Sequence, residues 1–350
     1  MITARAVVIN TGNTVKGEDG KMQSIYNGFP LRGGERVVIK IAGNTSTNKG
    51  LDFSDNPSKY LYVGSITNVL VTSGKETFTL NLVSREAITN ETVRVGKRFP
   101  SSQKISDSVD DICKNYLSSD KLYDVDETQN PYGFIGNMKK PFTIMTWLAS
   151  KSVPASASKE DATAGYFFFE TQKGFRFKSI DELIDQEPFK EKYVFTPGIV
   201  DYRKKGNDFK ILEYTTSKNQ NLLENLERGA YCSHRKYLNP LTFEYTPTPR
   251  TIFKLDDYSG KMKNLGGDID VTLPTLSDKD NRTLASVPSR YITGILDIGT
   301  LENDVSRDEN ADPTKIHSQA MMRYNTLFTQ ILTMTIPLNT NLTAGDILNC

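Results

Sequence analysis

From Thr77 to Val83 the chain alternates: Phe78, Leu80 and Leu82 fall on one parity, Thr77, Thr79 and Asn81 on the other. Successive side chains of a strand point to opposite faces, so the pattern describes a strand with one dry and one wet face, the habit of antiparallel sheets. A helix would scatter those three apolar residues around its axis. Two further runs, Val37-Val38-Ile39-Lys40-Ile41 and Tyr60-Leu61-Tyr62-Val63, are β-branched or aromatic and lie between Gly, Asn, Asp and Ser clusters. Residues 1–100 therefore read as short strands joined by polar turns, as in a small barrel or sandwich.

Beyond residue 100 the period changes. Ile105, Val109, Ile112 and Tyr116 recur at helical spacing after Ser101-Ser102, with Cys113 and Leu117 beside them. Pro141 opens a second helix that turns Phe142, Met145, Leu148 and Ala149 inward. Tyr166–Glu170 and Gly174–Lys178 read as a hairpin, and Ser179 with Glu182 as the capping box of a short helix over Leu183 and Ile184. Phe209 to Thr216 returns to a β pattern. A helix over roughly 222–237 then carries Leu222, Leu223, Leu226 and Ala230 as one stripe, with Asn221 as N-cap, Glu224 at N3 and Pro240 beyond its end. Residues 255–315 are polar and weakly periodic, which predicts an irregular peripheral region. A helix near 314–328 leads to a half-buried strand, Leu332, Met334, Ile336 and Leu338 alternating with Thr333 and Thr335. After a turn at Thr343-Ala344-Gly345-Asp346, Ile347-Leu348-Asn349-Cys350 opens a further strand. So short a strand leaves backbone groups to be paired by a neighbouring subunit, another polypeptide or further sequence.

At 350 residues the chain is long enough for two or three domains. Its charge is balanced, 43 Lys and Arg against 42 Asp and Glu, which argues against a dedicated nucleic-acid binder. No apolar stretch approaches the roughly 20 residues of a membrane span, and MITARAVVINTG lacks the regions of a signal peptide. Without a secretion signal, the sequons at Asn44, Asn90, Asn281 and Asn341 read as chance, and a cytoplasm-like folding environment fits best. Cys113, Cys232 and Cys350 form no CxxC pair and read as buried free thiols.

The constellations of catalysis are missing. His234 and His317 are the two histidines; His234 sits in His-Arg-Lys, read as the end of the 222–237 helix, where positive charge suits the dipole. His317 has no metal-ligand spacing around it. There is no GxSxG, P-loop or GxGxxG. Asp308-Glu309-Asn310-Ala311-Asp312 starts like a calcium loop, but Pro313 stands where Gly is required and Gln319 where a bidentate Glu belongs. No carboxylate pair stands out for glycoside hydrolysis. Tyr166-Phe167-Phe168-Phe169 reads as a strand buried on both faces rather than a base-stacking platform. Arg94, Lys97 and Arg98 read as an interface or solvated loop. The expectation is no enzyme, no catalytic, cofactor-binding or metal residues, and no cofactor.

Five stretches in order resemble the baseplate hub protein of contractile-tailed, myovirus-type bacteriophages. They are Leu82–Ala87 with Asn90–Val95; Pro141-Phe142 with Trp147–Lys151; Gly165–Glu170 with Gly174–Ile180; Asn221–Leu226 with Arg228–Tyr231; and Gln319–Asn325 with Thr335–Leu338 and Leu342–Asp346. Residues 255–310 contribute little, and the ends depart from the family: less sequence precedes Tyr26 than is usual, and the C-terminus stops inside a strand-like pattern.

The resemblance implies a β-rich α+β fold with two related small, tail-tube-like β-barrel domains. The division is 1–100 for the first barrel, 196–249 plus 316–350 for the second, and 101–195 plus 250–315 for a peripheral α+β domain. It further implies a homotrimer whose six barrel faces join a six-fold tail tube above to a three-fold central spike below, with other baseplate (wedge) proteins around it. DNA would meet it only in transit through the channel, which suits the neutral balance. The expected location is the virion, in the tail baseplate, after assembly in the host cytoplasm, with no membrane insertion. Two other readings stay open: another tail component, such as a spike or receptor-binding protein, or a tail-associated glycan or peptide hydrolase.

Overall fold

The computed structural model describes residues 1–29, 31–43, 48–72, 74–119, 121–155, 164–198, 207–218, 221–245, 252–254, 275–277, 280–284, 286–295, 313–327 and 331–350. It is a β-rich α+β fold. The N-terminal part is a four-stranded antiparallel sheet of β1 (Thr3–Asn10), β2 (Arg36–Val37), β3 (Leu61–Thr72) and β4 (Lys75–Ser84), in the order β1-β4-β3-β2. The alternation in β4 is realised in part: Phe78 and Leu82 are buried and half-buried Leu80 packs with Leu61 and Val63 on their side, but Thr79, on the other parity, is buried as well. The run 37–41 is split between β2 and a separate short strand, Lys40–Ile41, paired to Leu51–Asp52. β3 and β4 pair along most of their length, with register shifts between Val63 and Ser65 and between Thr67 and Leu70.

A short helix, α1 (Arg85–Thr92), leaves the sheet and leads into the central region. There α2 (Ile105–Tyr116) and α3 (Pro141–Ala149) form where the apolar spacing and Pro141 place them. They pack against the hairpin β6 (Tyr166–Thr171) and β7 (Gly174–Ser179), which β5 (Leu122–Val125) joins in parallel beside β7. Ile105, Val109, Ile112, Met145, Leu148, Phe175 and Phe177 make the centre of this core. Half of the capping box forms: the Ser179 hydroxyl accepts the Glu182 N–H at 3.1 Å, starting α4 (Ile180–Asp185), while the Ser179 N–H goes to Asp126 at 2.9 Å rather than to Glu182.

Beyond it, β8 (Glu213–Lys218) pairs antiparallel with the late strand Ile331–Thr335. α5 spans Leu222–Arg228, with Asn221 capping the Glu224 N–H at 3.2 Å. The predicted continuation of α5 to 237 is corrected. Gly229 adopts φ +70°, and its N–H bonds back to the last turn, a left-handed helix stop that a Cβ would strain. A Cβ there would also stand 2.9 Å from Arg290 Cβ. Residues 232–238 form a strand, β9 (Cys232–Leu238), instead; Ala230 had lengthened the apparent stripe past the glycine. The Leu stripe is not core either, since Leu222 and Leu223 are exposed.

The irregular reading of 255–315 also needs correction where the chain is described. Thr275–Ser277 pairs with Asp280–Thr283, and β11 (Arg290–Ile295) pairs parallel to β9, whose other side carries β10 (Ile252–Lys254). Over 290–295 the alternation of burial is real, but apolar Tyr291 and Ile295 lie on the exposed side, so the sequence shows no wet–dry contrast. One sheet thus draws strands from two of the segments assigned to separate domains.

Finally α6 (Pro313–Leu327) lays Ile316 and Ala320 against Val153 and Ala164, and β12 (Ile331–Thr335) completes the pair with β8. Strand pairing stops at Thr335, short of the predicted Leu338. The last residues are not a strand: the carbonyls of Ile347 and Asn349 accept N–H groups from Phe189 and Tyr193, so this chain itself supplies those partners.

Candidate assembly surface

The N-terminal sheet offers an uncovered face and an open edge. Register places Ile9, Thr77 and Leu70 in one row across β1, β4 and β3, and Val7, Thr79 and Thr67 in the next. Val7, Ile9 and Leu70 are 60%, 66% and 56% exposed, which leaves an apolar strip at the far end of the outer face. Closer to the central region the same face is neutral and polar, with Asn81 donating to Ser65 and Thr67. β1 is the edge strand, and among the described residues its other side has no strand. On the inner face Glu76 is fully buried, its carboxylate accepting the N–H groups of Ile25 and Tyr26 at 2.8 Å each, which caps the one-turn helix Ile25–Gly28.

The sheet is set on the central region by a buried ionic junction. Glu86 at the start of α1 and Glu170 in β6 are wholly buried, and both grip Lys121. Ser119 donates to Glu86 at 2.6 Å, while Glu170 also accepts the Ser84 hydroxyl at 2.7 Å and the Ile2 N–H at 2.8 Å. The ends of β1 and β4 are thereby fixed to the hairpin of the central core. A second clasp joins the Asn48 loop to the C-terminal segment: Asn48 donates to the Leu338 carbonyl at 2.6 Å and accepts from the Thr340 N–H at 3.1 Å and the Thr340 hydroxyl. Gln172, at the hairpin turn, reaches the Thr340 carbonyl at 3.2 Å. The sequence reading found neither connection. The partners lie far apart in the chain, and Arg85-Glu86 looks like any solvated first turn.

The residues singled out from sequence fall elsewhere. Arg94 donates to the carbonyls of Glu91 and Val93, and Lys97 pairs with Asp111 at 2.7 Å, so this basic cluster is used internally. The aromatic run is covered on both faces: Tyr166 and Phe168 by the α2–α3 core, and Phe167 by Tyr324 of α6 at 5.4 Å. His234 lies in β9 beside Tyr291, not at a helix end, and His317 Nδ1 is 2.9 Å from the Tyr237 hydroxyl. Cys113 and Cys232 are buried, but Cys350 is exposed, which corrects the reading of three buried thiols. Burial pushes the Cys113 thiol up to about 12. Asp308–Asp312 lies outside the described residues, and Pro313 to Gln319 is helix. Among the described residues no group of three His, Cys, Asp or Glu is placed to hold a metal, and no helix is long and apolar enough to cross a membrane.

No protein-family model matches the chain. No curated protein matches its sequence. Among solved structures it is similar to the 43 kDa tail protein of prophage MuSo2 from Shewanella oneidensis, at 9% identity and a TM-score of 0.47, covering 96% of this chain and 74% of that one. It is also similar to the tail protein from Neisseria meningitidis MC58, at 11% identity and a TM-score of 0.43, covering 95% of this chain and 80% of that one.

Proposed function

We propose that the chain is a structural subunit of a phage tail, in its baseplate hub. Three copies would close a ring between a six-fold tail tube and a three-fold spike, contact the surrounding wedge proteins, and leave a channel for DNA. In this reading the N-terminal sheet is the first of two tube-like barrel units, and the second is built from 196–249 and 316–350.

The observation that carries the proposal is β1. It is an eight-residue edge strand whose far side carries no strand among the described residues, and it sets Val7 and Ile9 on the outer face. An exposed, regular, apolar edge is an aggregation hazard in a monomer and a joint in a ring, where head-to-tail contacts close symmetrically. The ordered hub-like segments running from Leu82 to Asp346 support the same role.

Multi-angle light scattering of the purified chain at micromolar concentration should report three copies. A chain that stays monomeric, even with tube and spike proteins added, overturns the proposal.

A further inference from the structure

A cavity of about 120 Å³ opens where the N-terminal sheet, the turn Pro57–Lys59 and the hairpin turn at Gln172 meet. Three lysines line it, Lys59, Lys121 and Lys173, with the hydroxyl-bearing Ser58, Ser84 and Thr171; among the described residues no Asp or Glu lines it. Its volume is far below the roughly 300–1,000 Å³ of clefts that hold cofactor-sized ligands.

The charges behind the cavity are already matched. Glu86 has Arg85 at 3.5 Å as well as Lys121, and Asp55 is paired with Lys59 at 2.8 Å. An ammonium has three donors, and Lys121 gives two of them to Glu86 and Glu170. Its ammonium also lies over the Phe175 ring, 5.7 Å from the centroid, at the wall of the space it lines. Lys173, at the exposed hairpin turn, adds a cation at the mouth. Ser58, Ser84 and Thr171 are buried around it, so the site is polar, lysine-lined and walled.

We propose that this cavity binds a small oxyanion, a phosphate or a carboxylate group, held by the ammoniums of Lys59, Lys121 and Lys173. The bound group bridges the sheet to the central hairpin and so fastens the joint from outside, as the buried junction does from inside. Two partly solvated lysines and one buried one make a site that favours an oxyanion over chloride, because the oxyanion accepts several charge-assisted hydrogen bonds at once.

The test is thermal unfolding of the purified full chain at neutral pH, in sodium phosphate, sodium acetate or sodium chloride at matched ionic strength. Phosphate should raise the melting temperature saturably over chloride, as a ligand specific to the folded state does. In the double variant K59Q/K173Q the apparent phosphate affinity should fall at least tenfold. The variant K16Q/K21Q, with the same charge change in the hairpin Val15–Gln23, should respond like the parent. Lys121 is left in place because its loss would strand two buried carboxylates. An equal response to acetate identifies the group as a carboxylate; a response to phosphate alone identifies it as phosphoryl. Equal melting temperatures in phosphate and chloride, or a full response in K59Q/K173Q, overturn the proposal.

Discussion

The hairpin β6–β7 and the strand β1 both carry apolar side chains on both parities, yet the described residues cover both faces of only one of them. Around the hairpin, α2 and α3 close one side, while Tyr324 and the C-terminal segment close the other. Around β1, the inner residues Ala4 and Ile2 meet Leu61 and Val63, but Val7 and Ile9 face out. An apolar run without alternation marks a strand meant to be buried on both sides. The difference teaches where the fold buries its own apolar strands and where it leaves apolar side chains exposed.

The largest effect that could break this comparison is in the central core. Phe177 is wholly buried in β7, between Tyr166 at 4.8 Å and the α2–α3 helices. Phe177→Ala should cost about 3–5 kcal/mol in urea unfolding, the range for deleting a buried aromatic side chain. Ile9→Ser in the same assay should shift stability by no more than about 0.5 kcal/mol, as an exposed substitution does. Its effect belongs to self-association, which it should weaken in light scattering. Equal losses of stability for the two variants would mean that the outer face is already covered.

The junction between the two regions comes next. Lys121→Ala leaves Glu86 and Glu170 buried with their shared cation gone, a change that typically costs about 3–5 kcal/mol. The triple variant E86Q/E170Q/K121M removes the charges together and should recover much of that loss. If Lys121→Ala unfolds with an unchanged midpoint, the sheet and the core are not fastened there. The smaller clasp is sharper still as a probe of the C-terminal segment. Asn48→Ala removes one donor and one acceptor from Leu338 and Thr340, and should cost about 1–3 kcal/mol. Faster amide exchange should then appear at Thr340, whose N–H loses its acceptor; unchanged exchange there would show that the clasp does not hold the tail.

Local pattern carried much of this fold, and its failures share a cause. Helices 105–116 and 141–149, the hairpin, the Ser179 box and the strand at 75–84 each announce themselves through spacing and capping within a dozen residues. The 222–237 helix failed because an apolar stripe was followed past Gly229, although a glycine after a last-turn arginine is itself a stop signal. The strand 290–295 failed because its neighbour β9 is remote and its exposed face, with Tyr291 and Ile295, gives no wet–dry contrast. Of the candidate surface, the alternation of β4 was legible, but β1 was missed, although Ala6-Val7-Val8-Ile9 carries its double parity. The Glu86–Lys121–Glu170 junction and the Asn48–Thr340 clasp were not legible, since nothing local to any of those residues refers to its partner.

The smallest expected effect lies at the rim of the central region, on Glu182. Burial beside the β6–β7 hairpin raises its carboxyl above the usual value, and neighbouring Asp126 adds to the rise, against the partial relief of Lys178 at 3.8 Å. A raised folded-state value means that the folded protein prefers the protonated acid. The contribution to stability is therefore fully present below the unfolded value, 4.5, and is lost as pH rises through the folded one. Glu182→Gln keeps the backbone N–H that Ser179 caps and removes the charge that is disfavoured at neutral pH. The variant should be slightly more stable than the parent at pH 7, by well under 1 kcal/mol because the side chain is about half exposed and screened. The gain should vanish near pH 4, where the parent is itself protonated. Paired melting curves at the two pH values read this directly, and a variant less stable than its parent at pH 7 would show that attraction to Lys178 outweighs burial at the edge of this core.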